Sequence, residues 1–186
     1  MEIMESALNE EELLNDKLRN VATAYFYNPY NEEERQALIL FLQNNDCREL
    51  IAKCVDGDTI SESFVCAVSD NHVDILQAFF DQGMNVDIKN FRGNTALIGA
   101  IANGCEESAR LLLDLNANCD LQDENGDTAL ISASNFGHKE LVQLLLNHGA
   151  DIDLKNNDGD TALDLAISEE IEEMIQNHVN TSYVLK

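Results

Sequence analysis

Gly93-Asn94-Thr95-Ala96-Leu97, Gly126-Asp127-Thr128-Ala129-Leu130 and Gly159-Asp160-Thr161-Ala162-Leu163 are three versions of one phrase, each 33 residues after the last. A fixed period between about 20 and 50 residues is the signature of a stacked array, in which each unit buries its apolar face against its neighbours. The phrase supplies what the start of such a unit needs. Its glycine is free to turn, its threonine opens a helix, and its alanine and leucine enter the stack. It therefore reads as scaffold, and the residues around it become the candidates for function.

Between the phrases one template recurs. Thr128-Ala129-Leu130 leads through a short apolar run to Gly137-His138-Lys139-Glu140-Leu141-Val142-Gln143-Leu144-Leu145-Leu146, then to His148-Gly149-Ala150-Asp151-Ile152-Asp153. This resembles the ankyrin repeat, whose pattern is a turn, a short helix, Gly-His, a longer helix, and Gly-Ala-Asp-Val-Asn before the next turn. The resemblance covers roughly residues 58 to 186. One departure is systematic: where the family has the Pro and His of Thr-Pro-Leu-His, this chain has Ala96 and Ile98, Ala129 and Ile131, and Ala162 and Asp164. The Thr–His hydrogen bonding of the family must then be weakened or replaced. The resemblance implies an all-α solenoid of helix-turn-helix repeats with β-turn tips. It also implies a non-enzymatic adaptor or inhibitor that binds another protein through the tips and the concave row of inner helices.

Composition narrows the partners. The 186 residues carry 35 acidic and 11 basic side chains, a net charge of −24. Such a surface repels phosphate, and the cations are scattered singly, which argues against nucleic acid and for a partner with a basic surface. No apolar stretch reaches the ~18 residues of a membrane span, and the N-terminus Met1-Glu2-Ile3-Met4-Glu5 is acidic where a secretory signal would be basic. A monomeric, cytoplasmic product is expected. Five cysteines (Cys47, Cys54, Cys66, Cys105, Cys119) form an odd set without CxxC spacing, which favours reduced, mostly buried thiols. His72 and His138 stand at the Gly-His position and His148 and His178 near helix ends, so structural roles outweigh a metal site. Asp151, Asp153 and Asp158-Gly159 have the glycine at the wrong offset for a calcium loop. No cofactor is called for.

Residues 1–57 do not follow the period. Asn9-Glu10-Glu11-Glu12 has the capping-box form, and Leu14, Leu18, Val21 and Tyr25 recur at helical spacing, so a first helix is predicted from about Asn9 to Tyr27. Asn28-Pro29 stops it. Asn31-Glu32-Glu33-Glu34 opens a second helix through Ala37-Leu38-Ile39-Leu40-Phe41-Leu42, apolar on every side and so expected to pack on both faces. Asp46 precedes a third, with Cys47, Leu50, Ile51 and Cys54 as its stripe. These helices read as a cap on the first repeat, 58–90, whose turn phrase has slipped and whose inner helix begins early at the capping box Thr59-Ile60-Ser61-Glu62. The alternative is a structural or assembly role in which this region, with Tyr25, Phe26, Tyr27 and Tyr30, is itself the interface. Full repeats follow at 91–123 and 124–156. A truncated repeat at 157–178 has lost three residues between its helices, with Glu172 and Gln176 where Val142 and Leu146 stand one repeat earlier. Residues 179–186 lack periodicity and are expected to be mobile.

No nucleophile motif, glycine-rich phosphate loop or metal spacing appears. Carried across residue by residue, the family's binding positions are Lys89, Phe91, Arg92 and Asn94 at the first tip. The second tip offers Gln122, Glu124, Asn125 and Asp127, and the third Lys155, Asn157, Asp158 and Asp160. The concave row adds Ser69, Asp70, Ala102, Asn103, Asn135 and Phe136. Two aromatic rings stand out at positions expected to face solvent. Phe91 is either an anchor or packed on its own turn, and Phe136 either an anchor or packed on the adjacent inner helix. Near the C-terminus, Glu169-Glu170-Ile171-Glu172-Glu173 followed by Thr181-Ser182 and Val184-Leu185 resembles the glutamate-block translocation signal of Legionella type IV secreted effectors. That resemblance implies delivery into a host cytosol, although an acidic first turn is also what a helix start prefers.

Overall fold

The computed structural model describes the backbone of residues 2–52 and 59–184, and the side chains of residues 12–52 and 60–178. Ten helices follow in order among the described residues: α1 Glu2–Tyr27, α2 Glu32–Asn44, α3 Arg48–Ala52, α4 Thr59–Ser69, α5 Val73–Asp81, α6 Ala96–Ala102, α7 Glu106–Asp114, α8 Ala129–Phe136, α9 Lys139–Asn147 and α10 Glu169–Val184. The all-α solenoid expected from the period is present. No strand occurs among the described residues; an isolated bridge joins Lys89 and Thr95 across the first tip.

The helices form two rows. α4, α6 and α8 stack as the inner row; α5, α7, α9 and α10 form the outer row, each inner helix packed on the outer helix that follows it. Each inner helix after the first opens on its phrase threonine: Thr95 Oγ1 accepts from Ile98 N–H at 3.3 Å and Thr128 Oγ1 from Ile131 N–H at 3.2 Å. The missing family histidine is replaced by packing, since Ile98 and Ile131 are buried. In the last repeat Asp164 does the work instead, accepting from the Thr161 hydroxyl at 2.7 Å and from its N–H at 2.9 Å. Leu112, Leu141 and Leu145, the predicted stacking residues, are buried between the repeats. Removing one such side chain costs about 2–5 kcal/mol in comparable cores.

The N-terminal helices continue both rows. α1 packs on α4, extending the inner row, and α2 packs on α5, extending the outer one. Polar bonds fasten this join: Ser63 Oγ donates to Ala22 O at 2.7 Å, and the Tyr25 hydroxyl meets His72 Nδ1 at 2.8 Å. Gln82 bridges to both Cys47 N–H and Leu42 O. Tyr25 is buried and Phe26 half-buried, whereas Tyr27 and Tyr30 are exposed. Two expectations are corrected here: α1 begins at Glu2 rather than near Asn9, which lies inside the helix, and α2 does not pack on both faces. α2 buries Leu38, Ile39 and Leu42 but leaves Leu40 and Ala37 in solvent, because only one of its sides meets α1 and α5. The capping boxes at Asn9 and Thr59 involve side chains outside the described residues, and so does Cys54.

The last repeat is shorter than a helix pair. Ala162–Leu165 form a single turn, held by Leu165 N–H to Thr161 O at 3.3 Å, and Ser168 then caps α10. Losing three residues between the helices removes most of the inner one, leaving α10 to start at once. Ile171 and Ile175 of α10 are buried against α9, while Glu172 and Gln176 sit at or near the surface. The helix continues past His178 to Val184, through residues whose sequence shows no periodicity. A helix nucleated on packed isoleucines propagates through residues that carry no apolar period of their own.

Candidate protein-binding face

The tips are built on a residue that sequence reasoning passed over. Asn90, Asp123 and Asn156, each three before a phrase glycine, turn a side-chain oxygen back onto the chain. Asn90 Oδ1 accepts from Arg92 and Asn94 N–H, Asp123 Oδ1 from Asn125 and Asp127 N–H, and Asn156 Oδ1 from Asp158 and Asp160 N–H, all at 2.8–3.1 Å. Asn and Asp make such local bonds readily, which is why they dominate turns. Their recurrence at the 33-residue interval was the signal available. The clamp fixes the backbone, so the residues between its ends are free to differ.

They differ sharply. At the second and third tips the side chains hold the neighbouring repeat. Gln122 Nε2 donates to Lys155 O at 2.8 Å, Asn156 Nδ2 to Asp127 Oδ1 at 2.9 Å and Asn157 Nδ2 to Glu124 O at 2.9 Å, while Asn157 N–H reaches Asn125 O. Lys89 belongs to the same frame, its Nζ donating to Gln122 O at 2.8 Å. Glu124, Asn125, Asn157 and Asp158 are exposed; Asn94, Asp127 and Asp160 are half-buried.

At the first tip the side chains face a groove instead. Phe91 is 59 % exposed, with the Arg92 guanidinium 5.2 Å from its ring centroid. The tip is held from below by Glu62, whose Oε1 accepts the Phe91 N–H at 2.6 Å. Beneath lies a space of about 370 Å³ between α4 and α6. Val65, Cys66 and Ser69 of α4 line one side, and Gly99 and Ala102 of α6 with its C-cap Asn103 the other. Phe26 closes it from the end of α1. Phe91, Arg92, Asn94 and Asn103 of the predicted set are thus brought together, and Phe26, Val65, Cys66 and Gly99 join them unforeseen. Gly99 had a readable signal: a glycine inside a helix costs about 1 kcal/mol and calls for a packing or functional reason. Here a Cβ would lie 3.2 Å from Ser69 Oγ and 3.5 Å from Val65, on the groove floor.

Asn135 and Phe136 lie apart, at the end of α8. Phe136 is 54 % exposed, and beside it Ile167, 64 % exposed, lies so close over Gly137 that a Cβ there would meet its Cδ1 at 2.5 Å. The concave face therefore carries apolar groups at both ends, with the acidic second and third tips alongside.

The thiols are suited to packing rather than chemistry. Burial, with Asp70 beside it, pushes the Cys66 thiol up to about 12, and burial raises those of Cys47, Cys105 and Cys119. Among the described residues no three His, Cys, Asp or Glu side chains come together in a way that could hold a metal ion, and no helix is long and apolar enough to cross a membrane. The glutamate block occupies the first turn of α10, where Glu170 pairs with Lys139.

The family model for ankyrin repeats (3 copies) matches residues 61–123 and 115–177. The chain belongs to the ankyrin-repeat family. Such arrays are protein–protein interaction modules and are generally non-enzymatic. A search of the curated proteins finds no match to this chain.

Proposed function

We propose that this array is an adaptor or inhibitor that binds one partner protein through its concave face, with the Phe91 groove as the principal contact. The observation that carries the reading is the pair of exposed aromatic rings, Phe91 and Phe136, on a face otherwise free of the stacking core. Large apolar groups left in solvent on a water-soluble face cost hydration free energy unless a partner covers them, and aromatic anchors dominate protein interfaces. The excess of acidic residues supports a partner with a basic surface, whose association weakens as salt rises. The rival role, in which the N-terminal helices alone are the interface, merges with this one, because Phe26 lines the same groove as Phe91.

A pull-down with the full chain at low and high salt, alongside a Phe91→Ala/Phe136→Ala variant, tests the reading. Capture by the wild type that the variant loses, and that high salt weakens, is the expected result. Equal capture by both would end it. Delivery into a host cytosol by a type IV system is a separate proposal resting on the Glu169–Glu173 run together with Thr181-Ser182 and Val184-Leu185 after it; delivery that survives removal of all residues after Asn177 would end that one.

A further inference from the structure

The charge along the row of tips is polarised. Residues 89–94 carry Lys89 and Arg92 and no carboxylate. Residues 122–127 carry Asp123, Glu124 and Asp127 and no cation, and residues 155–160 set Lys155 against Asp158 and Asp160. In a chain with a net charge of −24 the first tip is a local exception, and it overhangs the groove. The carboxylate on that groove, Glu62, is 9 % exposed and bonded to the Phe91 N–H. Arg92 is exposed and stands by the Phe91 ring, a geometry that holds a guanidinium ready for an incoming carboxylate.

Resting on the protein-binding reading above, we propose that the groove receives an apolar side chain from an extended segment of the partner. A carboxylate next to that side chain meets Arg92, and basic residues follow toward the second and third tips. Stacked helices lie about 8–10 Å apart and an extended chain advances about 3.3 Å per residue, so the basic residues fall about three and six positions from the apolar one. A space of about 370 Å³ suits one aromatic or branched aliphatic side chain with room for its backbone. Phe26 makes the non-repeat helix α1 part of this receptor, and Gly99 keeps its floor open. The partner is thus basic overall, with one acidic residue at a set place.

Selection from a displayed library of random dodecapeptides on the full chain tests this. Enriched peptides should pair an aromatic or branched aliphatic residue with Asp or Glu, and place Lys or Arg about three and six positions away. Synthetic copies of them should lose at least about tenfold in affinity for Arg92→Glu, a change at an exposed side chain whose circular dichroism should match that of the wild type. Replacing only the acidic residue of the peptide by Lys should lose affinity for the wild type and regain it for Arg92→Glu. Enriched peptides without the acid–apolar pair, or equal binding by Arg92→Glu, overturn the inference while leaving the protein-binding reading standing. No enrichment over an unrelated acidic protein overturns both.

Discussion

The first and second tips share a backbone and little else. Each is clamped by one Asx side chain, Asn90 or Asp123, and each turns on a left-handed glycine, Gly93 or Gly126. At the second tip nearly every polar group reaches the third: Gln122 to Lys155, Asp127 to Asn156, and Glu124 and Asn125 to Asn157. At the first, Phe91 and Arg92 reach toward solvent above a groove. The difference teaches that a repeat array divides labour along its edge. Where tips are stitched together they carry stability, and where a tip stands over open space its side chains are released for a ligand.

Glycine substitutions should separate the tips most strongly. At Gly126 an added Cβ would lie 2.7 Å from Asn157 Oδ1 and 2.8 Å from Asn157 N. Gly126→Ala combines left-handed strain with a clash against fixed backbone and should cost about 2–4 kcal/mol in urea unfolding. At Gly93 the nearest atoms are Glu124 Cγ at 3.0 Å, part of a movable side chain, and Glu124 N at 3.2 Å, a milder backbone contact than the 2.8 Å at Gly126, so Gly93→Ala should cost less. Equal costs would mean that the first tip is stitched as tightly as the second.

The clamps give the next contrast. Asn156→Ala removes two bonds to its own turn and one to Asp127, while Asn90→Ala removes two bonds to its own turn. At about 1 kcal/mol for each bond, the former should be the more destabilising by about that amount. A double change of Asn156 and Asp127 to alanine that costs no more than Asn156→Ala would confirm the coupling.

An effect confined to alkaline pH comes from the side of the groove. The folded state holds the Cys66 thiol at about 12 against an ordinary value of about 8.5. Over that window the unfolded chain has lost a proton that the folded chain keeps, so stability should fall as pH rises from about 8.5 toward 12. Cys66→Ala should flatten part of that slope. An unchanged slope would show that the thiol is not desolvated as the groove geometry implies.

Much of the scaffold was legible in the sequence because periodicity is local information. The phrase glycines, the threonine caps and the leucines between repeats all fell where the 33-residue interval put them. What escaped depended on meetings across the chain. Phe26 and Gly99 belong to different elements, separated by the whole first repeat, and only stacking of α1 and α6 on either side of α4 makes them neighbours of one groove. The ends escaped for another reason. The loss of the last inner helix, and the run of α10 to Val184, turn on how many residues remain between two packed anchors, which periodicity does not count.

The most direct test joins binding and stability in one variant, Phe91→Ala/Arg92→Ala, measured against the partner recovered by the wild-type chain. Binding should weaken by at least about tenfold while the unfolding free energy stays within about 0.5 kcal/mol of wild type. A fall in the melting temperature with binding unchanged would contradict it, placing these side chains in the frame with those of the second tip.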